Sequence, residues 1–100
     1  NMGWANNHIE KLQNGETVKF RPKGNSMTGK INSGDLVTVV PATADSVEVD
    51  DIVLCKVSGT QYLHLVKAKD SEGRLQIGNN QGRINGWTKA VYGKCISVEP

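Results

Sequence analysis

The sequence predicts a mainly β, mostly antiparallel fold with one short N-terminal helix. Three observations lead there. Two apolar runs rich in β-branched residues, Leu36 to Pro41 and Ile52 to Val57, are bounded by Gly and Asp turn residues. In Thr17 to Lys23, the side chains of Val18, Phe20 and Pro22 alternate with those of Lys19, Arg21 and Lys23, the period-two pattern of a half-buried strand. Helical spacing is confined to Gly3 to Asn14, where Trp4, Ala5, Ile9 and Leu12 fall near one face and Gly15 is placed as the stop.

The other elements follow in order. Val57-Ser58-Gly59-Thr60 reads as a tight hairpin leading into a strand from Gln61 to Lys69. Asp70 to Gly73 is a second turn, and Arg74 to Ile77 a short strand after it. The amide- and glycine-rich stretch Gly78 to Gly86 reads as a loop, with a tight turn at Asn85-Gly86. Thr88 to Val98 supplies the closing strand, bent at Gly93. Trp87 is assigned to the core in preference to a peptide cleft. One short helix cannot form a helix-turn-helix, so no repressor-style DNA-binding unit is expected.

One hundred residues suit one small domain over 1–100, with the helix at about 3–14 and the β core at about 17–98. A formal charge of +2 does not by itself specify a polyanionic partner. Cys55 and Cys95 lie in strand-like runs without CxxC spacing and read as buried thiols in a reducing compartment. No apolar run approaches the ~18 residues needed to cross a bilayer, and no signal-peptide pattern opens the chain. With Met2 taken as the start and Asn1 as an added residue, a free-standing cytoplasmic protein without a membrane anchor is expected. Neither a metal nor another cofactor is expected.

The segment that stands out for chemistry is Gly24-Asn25-Ser26-Met27, continuing through Ile31 to Gly34-Asp35-Leu36-Val37. A serine directly after a Gly-Asn turn can expose its hydroxyl. The backbone N–H groups of Asn25, Ser26 and Met27 can converge on one point, as an oxyanion hole requires. From the residues alone, a turn or cap serine is the plainer reading.

This segment resembles the nucleophile box of LexA-like repressor proteases and signal peptidases: a Ser-Met pair, a short spacer, a small apolar residue, then Gly-Asp entering a strand. Ser26-Met27, Ile31 and Gly34-Asp35-Leu36-Val37-Thr38-Val39 meet that pattern without a gap. Gly29 stands where the signal-peptidase branch usually has proline. Asp51-Ile52-Val53-Leu54 is similar to the family's Gly-Asp-Ile-Val strand, with Asp50 in place of glycine. The resemblance implies a coiled, mostly antiparallel β fold in which Ser26 is the nucleophile and a later strand supplies its base. That base is lysine in one branch and histidine in the other. Tyr62-Leu63-His64-Leu65-Val66-Lys67 puts His64 at the histidine position.

Lys67 is the second candidate base and Lys56 the third. His64 and Lys67 point to opposite faces of a regular strand, and a lysine must be desolvated to lose its proton near neutrality. Ile77-Gly78-Asn79-Asn80 resembles a loop whose aspartate orients the histidine, so the orienting role falls to Asn79. An amide there can hold the tautomer without offsetting imidazolium charge.

The implied activity is cleavage of a protein or peptide bound as an extended strand. No Ala-Gly or Cys-Gly pair precedes Ser26, which favours a separate substrate over self-cleavage. The size suits an accessory peptidase of a phage, plasmid or prophage. Two rival readings remain. One is a catalytically inactive peptide-binding member of the fold, suggested by Asn79. The other is a small nucleic-acid-binding β domain, suggested by Lys19, Arg21 and Lys23; nucleic acid is the less expected partner, because a lysine-rich edge also discourages strand pairing between molecules.

Overall fold

The structure is a computed structural model that describes residues 3–100, so the readings of Asn1 and Met2 lie outside the described residues. The apolar runs become strands: β1 (Val18–Phe20), β2 (Leu36–Pro41), β3 (Ile52–Val57), β4 (Thr60–Lys69), β5 (Leu75–Gly78), β6 (Ile84–Thr88) and β7 (Val91–Glu99). Among the described residues these seven strands form one antiparallel sheet in the order β1-β2-β7-β3-β4-β5-β6. The helix, α1 (Asn6–Gln13), precedes them. The mainly antiparallel β architecture with one short helix is therefore the fold class that the sequence predicts.

The helix forms because Ala5, Ile9 and Leu12 share a buried stripe, and it closes after Gln13. Glu16 N–H donates to the Lys11 carbonyl at 2.9 Å and Gly15 N–H to that of Leu12 at 3.0 Å, which satisfies two end carbonyls. Its stripe meets Val18, Val37, Val39, Leu54, Leu63 and Leu65 in a first core cluster. A second cluster, including Val53, Cys55, Val57, Val66, Leu75 and Ile77, covers the opposite face of the central strands. Alternate residues of β3 thus enter different cores. That explains why its sequence is almost continuously apolar.

Close approach of the helix to β7 depends on Gly93. A Cβ there would lie 2.6 Å from Val39 Cγ1, 2.9 Å from Leu12 Cδ1 and 3.0 Å from the Val40 carbonyl oxygen. β7 is irregular beside it, since Leu54 pairs with Gly93 but Cys55 with Val91, leaving Tyr92 as an extra residue. Asp50, where the resembled family has glycine, adopts φ 77° and donates its N–H to the Val66 carbonyl at 2.8 Å. Aspartate enters that left-handed region more readily than most side chains.

Five expectations need correction. The ladder of the first strand spans Val18–Phe20 rather than Thr17 to Lys23, and Pro22, without an N–H, cannot extend it. Gly78 to Gly86 is not wholly loop, because Ile84–Thr88 forms the edge strand β6. Asn85-Gly86 therefore lies within a strand and not in a turn, and Thr88 closes β6 instead of opening β7. Trp87, on the edge strand, is 43% exposed rather than in the core. Cys55 and Cys95 are free thiols, and burial pushes that of Cys55 up to about 12. No helix among the described residues is long and apolar enough to cross a membrane.

Gly93→Ala should destabilise the fold by about 1–3 kcal/mol, the usual cost of forcing atoms into a packed core. A fall in the urea midpoint at unchanged slope checks this; an unchanged midpoint would show that the helix-to-sheet contact adapts.

Candidate active site

Residues 21–35 connect β1 to β2 without regular structure, and their backbone is organised by its own hydrogen bonds. Asn25 carbonyl accepts from Thr28 N–H at 3.2 Å and from Thr28 Oγ1 at 2.8 Å, while Met27 carbonyl accepts from Ile31 N–H at 2.8 Å. This helical turn places Met27 and Ile31 four residues apart on one side. Both are 5% exposed and belong to the first core cluster, whereas Ser26 is on the exposed side. The N–H groups of Asn25, Ser26 and Met27 have no protein acceptor among the described residues, as befits the start of a helical turn.

Gly29 closes the turn at φ 99°, a backbone that a proline ring, fixed near −65°, cannot adopt. Stiffness comes instead from hydrogen bonds. Gly29 N–H donates to Asn32 Oδ1 at 2.9 Å, and Asn80 Nδ2 donates to the Thr28 carbonyl at 2.7 Å. The second bond ties the serine turn to the loop between β5 and β6.

Ser26 Oγ lies 3.1 Å from His64 Nε2, and His64 Nδ1 lies 2.7 Å from Asn85 Oδ1. His64 is 7% exposed on β4, with its ring 5.0 Å from that of Tyr62. An amide oxygen only accepts, so Nδ1 carries the proton and Nε2 presents its lone pair to Ser26. Burial pushes the imidazole pKa below its ordinary 6.5, and the Asn85 hydrogen bond draws it partly back.

Asn85 reaches His64 through a β-bulge. Ile77 pairs with Gly86 and Gly78 with Ile84, so Asn85 is the extra residue of β6. Asn79, expected to orient the histidine, does something else. Its Oδ1 accepts from Gln81 N–H at 2.8 Å and Arg83 N–H at 2.9 Å, which shapes the loop rather than the imidazole. Lys67 is likewise the extra residue of a bulge on β4, between the pairs Val66–Ile77 and Ala68–Gln76. Its Nζ is 3.5 Å from the Asn79 carbonyl, with no bond to Ser26. Lys56 Nζ lies 6.0 Å from the centre of the Tyr92 ring, also without a bond to Ser26.

Ser26 and His64 line a groove of about 780 Å³. Trp4, His8 and Phe20 form an aromatic group in its lining, and Asn79, Arg83 and Asn85 line it as well. Gln61, which carries no motif in the sequence, holds Trp4 and the chain before the helix in place. Its Oε1 accepts from Ala5 N–H at 2.7 Å, its amide Nε2 donates to Asn6 Oδ1, and its carbonyl accepts from Trp4 Nε1 at 3.2 Å. Among the described residues there is no cluster of three or more His, Cys, Asp or Glu side chains able to hold a metal.

An antiparallel sheet whose groove brings a turn serine to a strand histidine is consistent with a peptidase-like fold. The family model described as peptidase S24-like matches residues 5–88, and the chain belongs to that family, within the LexA-like and signal-peptidase-like superfamily. No curated protein and no solved structure matches the chain.

The His64 environment sets a sign for pH effects. Because its folded pKa is depressed, its contribution to stability is complete above the unfolded value of about 6.5 and is lost as pH falls through the folded value. In an NMR titration the His64 ring should have its midpoint below 6.5. Asn85→Ala should lower the midpoint further, and Asn85→Asp should raise it, since a carboxylate favours the imidazolium. Equal midpoints in all three proteins would exclude contact between these side chains in solution.

Proposed function

We propose that the protein is a serine endopeptidase in which Ser26 is the nucleophile and His64 the general base, acting on an extended segment of a separate protein. The observation that supports this best is the hydrogen-bonded series from Ser26 Oγ through His64 to Asn85 Oδ1. With the proton held on Nδ1, His64 Nε2 takes the Ser26 proton as Oγ bonds to the substrate carbonyl carbon. The carbonyl π electrons move to oxygen, which the N–H groups of Ser26 and Met27 stabilise. Collapse breaks the C–N bond, and the leaving amine receives the proton from His64. Water then repeats the sequence and releases the acyl group from Ser26.

Asn85 acts as a positioning residue, because it holds the imidazole tautomer without touching substrate. It cannot offset the imidazolium charge, so the rate falls short of that with a carboxylate. Lys67 keeps its bond to the Asn79 carbonyl and takes no part.

Substrate docking follows from strand register. Ser58-Gly59 forms a two-residue hairpin with both φ angles positive, at 50° and 82°. Alternation from the Val57–Thr60 pair makes Leu63 a non-hydrogen-bonded partner of Leu54, so its N–H and C=O point away from β3. On that side β5 pairs with β4 only from Leu65 onward. The edge at Leu63 is thus free to accept a peptide strand beside His64.

The neutral group at Nδ1 favours a second reading, in which the groove binds peptide without turnover. A fluorophosphonate probe separates the two. The wild-type protein should label, Ser26→Ala should not, and His64→Ala should slow labelling by about 10²–10⁴-fold, the usual worth of a positioned base. The rate should rise with pH and level off by neutrality, because His64 is already unprotonated there. Labelling that survives in Ser26→Ala overturns the assignment. No labelling of the wild type, with peptide binding retained, establishes the second reading.

A further inference from the structure

The charges that line the groove point to a substrate class. Arg21, Lys23 and Arg83 line it together with Ser26 and His64, and neither Asp nor Glu is among its lining residues. The chain as a whole is nearly balanced, with 12 Lys and Arg against 10 Asp and Glu, so this one-sided lining is a local arrangement. The three ion pairs of the described residues, Lys69–Glu48, Arg74–Asp70 and Lys94–Asp51, all lie elsewhere. Arg21 donates to the Gly34 carbonyl, which fixes its guanidinium without neutralising it. Lys23 and Arg83 are exposed and form no ion pair. Three uncompensated cations around a concave site repel one another and attract a carboxylate from solution.

The groove also carries an aromatic group, which adjoins Arg21 through Phe20. His8 stacks on Phe20 with ring centres 4.1 Å apart, and Trp4 lies 5.9 Å from Phe20 while remaining 53% exposed. Burial and nearby Lys11 lower the His8 pKa, which favours the uncharged ring in this stack. An exposed tryptophan fixed by a hydrogen bond to the Gln61 carbonyl is a preformed apolar contact surface. Gln61 is three residues from His64 along β4, about 10 Å at ~3.3 Å per residue. A peptide strand lying along that edge covers the same distance in about three residues.

We propose that the groove selects an acidic segment, carrying Asp or Glu beside the scissile bond and a large apolar or aromatic side chain two to three positions away. The selectivity rests on reading the groove as the peptide site of a peptidase. A nucleic acid strand would share the charge attraction and the stacking. The strand edge at Leu63, however, offers a backbone N–H and C=O that a polypeptide strand is built to pair with.

Two measurements test this. Digestion of a proteome-derived peptide library, with cut sites read by mass spectrometry, should show Asp and Glu enriched within three positions of the cut. Arg21→Gln/Lys23→Gln/Arg83→Gln should abolish that enrichment. Cleavage without acidic enrichment overturns the selectivity and leaves the peptidase reading intact.

If nothing is cut, binding decides. Fluorescence polarisation with Ser26→Ala should show a labelled Glu- and Trp-containing peptide binding at least about tenfold tighter than its Gln-for-Glu counterpart, with the gap narrowing between about 50 and about 300 mM salt. That outcome supports the acidic class while the peptidase reading fails. Equal binding of the two peptides, or tighter binding of a single-stranded oligothymidylate, overturns the proposal. The paired peptides test it on one unchanged protein, so a variant that fails to fold does not decide the matter.

Discussion

A hydroxyl at the surface stays beside an imidazole in the interior only if the turn that bears it is fastened from below. Met27 and Ile31 provide that fastening, each inserted into the core beneath Ser26. Every other feature of the site depends on this pair. The free N–H groups at the start of the turn, the 3.1 Å contact to His64 and the Asn80 tie across the groove all require Ser26 to be held at one height above the sheet. The core cluster that receives Met27 and Ile31 also receives the helix, so the helix that follows Trp4 and the turn carrying Ser26 share one foundation.

The far wall is built by a different device. β5 is only four residues long, yet both of its neighbours bulge against it, β4 at Lys67 and β6 at Asn85. A bulge redirects a side chain that a regular ladder would leave on its own alternating face. On β6 the result is an amide oxygen on His64 Nδ1, and on β4 a lysine that reaches the Asn79 carbonyl. The two amides of this region have divided their labour. Asn79 shapes the loop through two backbone N–H groups, which frees Asn85 to meet the imidazole.

Much of this was legible in the residues. Strands β2, β3 and β4 were marked by β-branched runs and a Ser-Gly hairpin, because their burial on both faces leaves few polar positions. That Ser26 and His64 would meet was legible through motif order, and the strand topology brings the two side chains together. Asn85 was not, since Asn-Gly inside a bulged edge strand has the same composition as a turn, and only the register with β5 distinguishes them. Gly29, a departure from the proline of the signal-peptidase branch, makes with its φ of 99° and its hydrogen bond to Asn32 a corner of another kind. Gln61 gave no signal, because an amide at the start of a strand reads as solvated until its partners, 55 and 56 residues earlier in the chain, are brought beside it.

Those long separations bear on when the groove can exist. Trp4, Ser26, Gln61, His64 and Asn85 come from nearly the full length of the chain, and contacts so distant in sequence carry a loop-closure cost before they form. A chain emerging from the ribosome presents Ser26 long before it presents the residues that position and orient His64. Until β6 is synthesised and zipped onto β5, the imidazole lacks its tautomer-setting partner and the groove lacks a wall. The arrangement around Ser26 is thus complete only after β6 has been made and paired, so the order of synthesis sets when the groove can first form.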